Sequence, residues 1–357
     1  MKKLRVAVIG CGRISDMHLI PAKNLEWAEL VACCDIKKER AEQKAAKYGI
    51  KAYTDYIEML DKESLDAVHI CLPHYLHTKA ACDAFVRGVN VLSEKPMDID
   101  YASAENAVNV ARENGVLYGV IFQGRYNNSS RLVKKAVSSG KLGKVISARS
   151  TLTWSRSDDY YSESDWKGTW DKEGGGVIID QAIHSIDLVN WIIDSEIESI
   201  SVEMANRGHK KVFVEDSAEG FIKYKNGAAY GFWCMNNYGC DEPIEIRLFC
   251  EKGKAVLGHD DAYIDYNDGT HEEAHRDENI PDYGGGRDYW GFMHVKQIEQ
   301  FYRACLGLEE LEISGERALK THQLICGIYD AGAHGFEREC GDGTSADIRN
   351  AGLVDPG

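Results

Sequence analysis

The chain has 357 residues, with 42 lysines and arginines against 57 aspartates and glutamates, a formal charge of −15. That balance excludes a nucleic-acid backbone or an anionic membrane as the main partner, because both require a basic footprint. With 44% hydrophobic and 28% charged residues the composition is that of a folded globular chain, and the length predicts two domains.

In chain order, residues 4–9 are a short run rich in β-branched residues ending on Gly10, which predicts a buried strand. Residues 14–24 follow as a helix whose end is disturbed by Pro21. Residues 29–34 are the next strand, 37–48 a charged helix stopped by Gly49, and 55–60 a helix opened by Asp55 and Glu58 as a capping box. Strands over 67–72, 89–92 and 116–122 alternate with helices over 76–86 and 100–113. This alternation predicts a parallel sheet with helices on both faces.

The pattern changes at the domain boundary near Gly124. A helix over 130–139, a strand over 144–153 and a long helix over 177–193 precede alternating segments at 200–205, 218–224, 228–235 and 244–250. Their period-two alternation, with a hairpin turn at Lys225-Asn226-Gly227, predicts a large, mainly antiparallel open sheet. Helices over 290–305 and 316–335 close the chain. The expected division is α/β throughout: residues 1–124, residues 125–339, and a loose Gly- and Asp-rich tail over 340–357.

Lys2 and Lys3 precede an apolar run of only four residues, too short for a signal peptide, and nothing approaches the ~20 apolar residues of a membrane span. Eleven cysteines without CxxC spacing, among them Cys33, Cys34, Cys71 and Cys250 in apolar runs, read as reduced thiols of a cytoplasmic protein.

Three motifs carry chemistry. Gly10-Cys11-Gly12-Arg13-Ile14-Ser15 follows the first strand and opens a helix, the context a dinucleotide fingerprint requires. Gly10 permits the tight turn and Gly12 the close approach of a pyrophosphate to the helix N-terminus, while Ser15 replaces the third glycine. Asp35 ends the second strand, where an acid reads the ribose 2′-hydroxyl and favours NAD. Lys37 and Lys38 just beyond leave NADP open. Glu94-Lys95-Pro96 follows the fifth strand, so Lys95 is placed to stabilise charge on a substrate oxygen, although a solvated loop lysine gives the same pattern. Gly174-Gly175-Gly176 opens the helix carrying Asp180, His184 and Asp187. At four-residue spacing Asp180 and His184 face one side, as a general acid–base pair or a plain surface ion pair.

These three motifs, in this order, resemble the glucose–fructose oxidoreductase / inositol dehydrogenase / rhizopine catabolism (Gfo/Idh/MocA) family over nearly the whole chain. The resemblance implies a Rossmann domain and an α/β domain whose open sheet assembles homodimers or homotetramers. It implies an NAD(P)-dependent oxidoreductase acting on a hydroxyl-bearing carbon of a sugar, cyclitol or glycoside. Lys95, Asp180 and His184 are then the catalytic set: His184 takes the hydroxyl proton, Lys95 holds the oxygen, and Asp180 supports both. The cofactor set is Gly10, Gly12, Arg13, Ile14, Asp35, Leu72, Pro73, His77, Glu94 and Lys95.

Substrate residues are expected among Gln123, Arg125 and Tyr126, which follow the last strand of the first domain. Trp154, Trp166 and Trp170 join them with His184, from a segment also crowded by Arg156, Tyr160, Tyr161 and Lys167. Aromatic faces with polar rims suit a sugar ring, and they serve core or interface packing equally well. Tyr289 and His294 are lesser candidates. His271-Glu272-Glu273-Ala274-His275 matches HExxH, but its polar, turn-rich flanks read as a solvated loop, so no metal is expected. The same residues would serve an enzyme that cleaves a glycosidic bond by transient oxidation, elimination and re-reduction. A non-catalytic nucleotide sensor is the alternative outside enzymology.

Overall fold

The computed structural model describes residues 3–276 and 293–332. Tyr289, Trp290 and the stretch 340–357 lie outside the described residues.

The first stretch of chain runs β1 (Leu4–Ile9), α1 (Asp16–Asn24), β2 (Ala28–Cys34), α2 (Lys38–Tyr48), β3 (Lys51–Tyr53), α3 (Tyr56–Lys62), β4 (Ala67–Ile70), α4 (His77–Phe85), β5 (Asn90–Ser93), α5 (Tyr101–Glu113) and β6 (Tyr118–Val120). Its six strands are all parallel, in the order β3-β2-β1-β4-β5-β6. That is a Rossmann sheet, and its order reverses between β1 and β4, where such sheets open a ligand crevice at the strands' carboxyl ends. β1 and β4 are buried almost throughout, which is why they read as continuous apolar runs. β3 escaped the sequence reading because a three-residue edge strand with two exposed positions has no apolar signature.

The chain continues through α6 (Asn128–Ser138), β7 (Val145–Thr153), α7 (Asp158–Ser162), α8 (Ile183–Ile193), β8 (Ile197–Ala205), β9 (Ser217–Tyr224), β10 (Ala229–Met235), β11 (Glu245–Cys250), β12 (Gly253–Leu257), β13 (Ala262–Tyr266) and β14 (His271–Ala274). Helices α9 (His294–Cys305) and α10 (Gly315–Gly332) end the described chain. The second sheet runs β14-β13-β12-β11-β7-β10-β9-β8 and is antiparallel except where β7 meets β10. Helix α8 lies on β7, and α6 lies on β12, β13 and β14.

The HExxH stretch, expected as a loop, forms the edge strand β14 over its first four residues. Backbone pairing to β13 makes the strand, and its polar side chains hide it from an apolar pattern. His271 and His275 are both exposed, with their Nδ1 atoms bonded to Asp265 and Asp261.

The described residues form two compact units, 3–123 with 293–320 and 124–276 with 321–332. Residues 293–320 return to the first unit because α9 is amphipathic. Ile298, Phe301 and Tyr302 join the core of Leu4, Val6, Val8 and Leu19, beside α1. Among the described residues no helix is long and apolar enough to cross a membrane.

Candidate active site

In the first unit the glycine loop leaves β1 at its carboxyl end. Gly10 has φ +97°, and a Cβ there would stand 2.2 Å from the Cys71 carbonyl oxygen, so only glycine lets the loop pack on the end of β4. A Cβ on Gly12 would meet nothing within 4 Å, so the loop presents open backbone at the point where a pyrophosphate approaches. Ser15 donates to the Gly12 carbonyl at 2.7 Å, so the residue in place of the third glycine braces the turn. Asp35 is oriented by two backbone donors, Cys11 N–H at 2.9 Å and Lys37 N–H at 2.8 Å. Arg13 and Ile14 are exposed on the turn. Ile36, which the sequence reading passed over, is 83% exposed next to Asp35. These residues fit a dinucleotide.

The segment after β5 is tied down from both sides. His77 sets Nε2 2.8 Å from the Leu72 carbonyl and Nδ1 2.7 Å from the Pro96 carbonyl, so it links the end of β4 to the Lys95-Pro96 segment. Glu94, expected in the cofactor set, is instead buried with both carboxylate oxygens engaged inside the protein, by His18, His294 and the Lys95 amide, while Lys95 is half-buried.

In the second unit the expected helix over 177–193 begins with a π-helical turn, Ile178–Ala182, before α8. Asp180 sits in that turn, and His184 is half-buried in the first turn of α8. π turns recur at functional sites because they displace side chains from the regular helical track. Three donors converge on Asp180 Oδ2: Lys167 Nζ at 2.8 Å, Tyr160 O–H at 2.9 Å and Gln181 Nε2 at 2.5 Å. Lys167 also donates to the Tyr160 oxygen at 2.7 Å and lies 3.5 Å from Glu173. Burial works against the Lys167 ammonium, but Asp180, Tyr160 and Glu173 hold its pKa well above the usual lysine value. Burial likewise pushes Glu173 up, against the pull of Lys167. Asn236 extends the network, donating to the Gln181 and Tyr161 oxygens.

The start of this helix has no side-chain cap of its own, and buried groups from elsewhere in the unit supply one. Glu215 accepts from Gly176 N–H at 2.9 Å and Ile178 N–H at 3.0 Å, and its backbone carbonyl accepts from Val177 N–H at 3.2 Å. Ile179 N–H reaches the Tyr329 hydroxyl, which in turn donates to Glu215 at 2.8 Å. Four successive N–H groups are thereby satisfied. The glycines answer to this cap, since a Cβ on Gly175 would lie 2.0 Å from the Tyr329 hydroxyl and one on Gly176 1.9 Å from the Glu215 carbonyl. Sequence reasoning missed Glu215 and Tyr329, and the triple glycine was the available sign of a close approach.

Of the expected substrate residues, several are buried and bonded within the fold. Arg125 is buried and bidentate with Asp187, at 2.9 and 2.5 Å, and Thr321 donates to the same carboxylate. Trp154 and Trp170 are buried, with indole N–H groups on the carbonyls of Glu242 and Phe213. Gln123 and Tyr126 are buried in a single 3-10 turn after β6. Trp166 is half-buried beneath Lys167, whose Nζ lies 4.8 Å from its ring centre.

Residues 4–122 match the model of an oxidoreductase family with an NAD-binding Rossmann fold, and residues 130–256 match the GFO/IDH/MocA C-terminal domain. The chain is 30% identical to scyllo-inositol 2-dehydrogenase (NAD(+)) of Bacillus subtilis strain 168 over 275 residues, 72% of this chain and 74% of that one. It is 26% identical to D-glucoside 3-dehydrogenase of Escherichia coli K12 over 364 residues, 94% and 97% of the two chains. The crystal structure of the WlbA dehydrogenase from Bordetella pertussis, in complex with NADH and UDP-GlcNAcA, superposes with a TM-score of 0.81 at 26% identity, over 94% of this chain and 98% of that one. With both domains matched in order, the chain belongs to the Gfo/Idh/MocA oxidoreductase family.

Proposed function

We propose that this protein is an NAD-dependent dehydrogenase acting on a hydroxyl-bearing carbon of a sugar, cyclitol or glycoside, with Lys95, Asp180 and His184 as its catalytic groups. The observation that carries the reading is Asp180, held by three donors in a π turn one turn before His184. Bound NAD supplies the hydride acceptor. His184 takes the hydroxyl proton as the carbon gives up its hydride, and a nearby carboxylate favours the imidazolium that results. The Lys95 ammonium holds the substrate oxygen as its bond order changes. Lys167 donates to Asp180 within a buried network that also contains Glu173.

Asp35 favours NAD over NADP, because its carboxylate is preset by the Cys11 and Lys37 amides to accept from a ribose hydroxyl and to repel a 2′-phosphate. Cys33, Cys34 and Cys71, buried in apolar surroundings as small hydrophobes, support a reducing, cytoplasmic setting. Exposed Phe221 and Phe249 on the second sheet support a homo-oligomer.

The test is a screen for NAD and NADP reduction across monosaccharides, inositols, uronates and glycosides, repeated with Lys95→Met. Turnover lost in the variant with NAD affinity retained is the expected outcome. Full activity in Lys95→Met sinks the assignment, and glycoside cleavage without NADH build-up transfers the same residues to the redox-neutral reaction.

A further inference from the structure

Beneath the Lys95 segment lies a buried polar chain that the proposed chemistry does not use. His18 Nε2 and His294 Nε2 stand 2.9 and 3.0 Å from the same oxygen of Glu94, Oε1. His18 Nδ1 is 2.9 Å from His69 Nδ1, and His69 Nε2 is 3.0 Å from the Tyr302 hydroxyl. All five side chains are buried, and they come from α1, β4, the end of β5 and α9.

One proton assignment satisfies every contact. A carboxylate only accepts, so both imidazoles facing Glu94 carry a proton on Nε2. A neutral His18 then has a bare Nδ1, which accepts from His69 Nδ1–H. A neutral His69 has a bare Nε2, which accepts from the Tyr302 hydroxyl. Burial alone would raise the Glu94 pKa, but the His18 and His294 donors hold it well below the usual carboxylate range. Burial keeps His69 neutral, well below the usual imidazole value.

The other oxygen of Glu94, Oε2, accepts from Lys95 N–H at 3.2 Å. Glu94 therefore takes three N–H donors: one from the helix behind the glycine loop, one from α9 and one from the Lys95 peptide itself. We propose that Glu94, fixed by His18 and His294, is a positioning residue that sets the Lys95 backbone relative to the glycine-loop helix. The proposal rests on the reading of Lys95 as a catalytic residue. A glutamine of the same size either turns its NH2 toward the Lys95 amide, donor against donor, or turns it toward the histidines and forces both imidazoles, with His69 behind His18, to change tautomer.

The test uses the full chain with Glu94→Gln, His294→Leu and His294→Gln, read by three measurements: amide hydrogen exchange over residues 93–98, NAD affinity, and kcat against KM. Glu94→Gln and His294→Leu are expected to speed exchange over 93–98 and to lower kcat by about tenfold or more, with NAD affinity within about twofold of the parent. His294→Gln, which returns an N–H donor, recovers most of that loss. Unchanged exchange in both Glu94→Gln and His294→Leu overturns the proposal, as does a loss of NAD affinity as large as the loss of kcat. His18, Glu94 and His294 also bring three ligand-capable atoms within 4.8 Å of one another. One equivalent of zinc per purified chain would overturn the proposal in favour of a metal site. The exchange measurement needs no substrate. If the parent reduces no cofactor with any sugar, the dehydrogenase reading fails, and exchange over 93–98 still decides the positioning role.

Discussion

Asp35 and Lys167 are single residues whose work follows from what surrounds them. Asp35 spends both oxygens on backbone N–H groups, which fixes its carboxylate at the rim of the nucleotide loop. Asp35→Ser removes the charge that opposes a 2′-phosphate and leaves Lys37 and Lys38 nearby, so the ratio of kcat/KM for NAD over NADP should fall by roughly tenfold or more. Steady-state kinetics with the two cofactors check it, and an unchanged ratio assigns selectivity elsewhere. Lys167 faces three acceptors, the Asp180 and Glu173 carboxylates and the Tyr160 oxygen. Lys167→Met leaves two carboxyl groups sharing a buried site with no cation between them, which favours protonating one. We expect kcat to drop by roughly a hundredfold, with partial recovery in Lys167→Arg and no change in NAD affinity. Equal activity in all three proteins would separate Lys167 from the chemistry. Spacing alone paired Asp180 with His184 and left a plain surface ion pair open, and the family resemblance supplied the catalytic reading. Lys167 read as one of a crowd of sugar-facing residues, because its bond to a carboxylate thirteen positions on exists only in the folded unit.

Helix termini are where element-scale logic was hardest to read from sequence. Asp55 advertises its role as a cap, and its side chain accepts from the Ile57 and Glu58 amides. The Asp180 helix advertises only glycines, because its cap comes from Glu215 and from Tyr329, 150 residues beyond Ile179. Tyr329→Phe removes a hydroxyl that both accepts from Ile179 and donates to Glu215, leaving buried groups unpaired, and should cost about 1–3 kcal/mol in denaturant unfolding. A stability unchanged from the parent would remove Tyr329 from the cap. The same cap makes stability depend on pH. Burial lifts Glu215 from its ordinary 4.5 to about 7, despite the Ile178, Tyr329 and Gly176 donors. Between those values the folded chain keeps a proton there that the unfolded chain has released, so this group's contribution to stability is full below about 4.5 and is lost as pH rises through about 7. The shift corresponds to about 3 kcal/mol. Glu215→Gln should therefore flatten the fall in melting temperature between pH 5 and 7.5 (about the window set by that shift). Parallel melting curves for parent and variant across that range would contradict it.

At the scale of the molecule, what periodicity sees is burial. The Rossmann strands other than β3 were legible because both their faces are covered, and β9 and β10 because one face is. β12, β13 and β14 are short, and β14 is polar, so only backbone pairing reveals them. The outward face of the second sheet is the part that alternation alone left ambiguous, since period two marks which positions are exposed and not what covers them. Register places Phe221, Trp233 and Phe249 on that one face, 70%, 37% and 59% exposed, while their strand neighbours Ile222, Phe232 and Leu248 are buried. Arg149 and Arg247 face each other in the same register and border the aromatic groups. Large aromatics on one face, rimmed by charge, are the composition of a protein interface rather than of a solvated sheet. A second copy of the chain meeting this face would bury the three rings beside charges already paired within the chain, Arg247 with Glu245 and Arg207 with Glu219. Sedimentation velocity should then find the parent at a multiple of its 39.9 kDa chain mass and Phe221→Glu/Trp233→Glu at or near the single-chain value. A monomeric parent, or an oligomer indifferent to both substitutions, moves assembly to another surface and leaves these aromatics to a different partner.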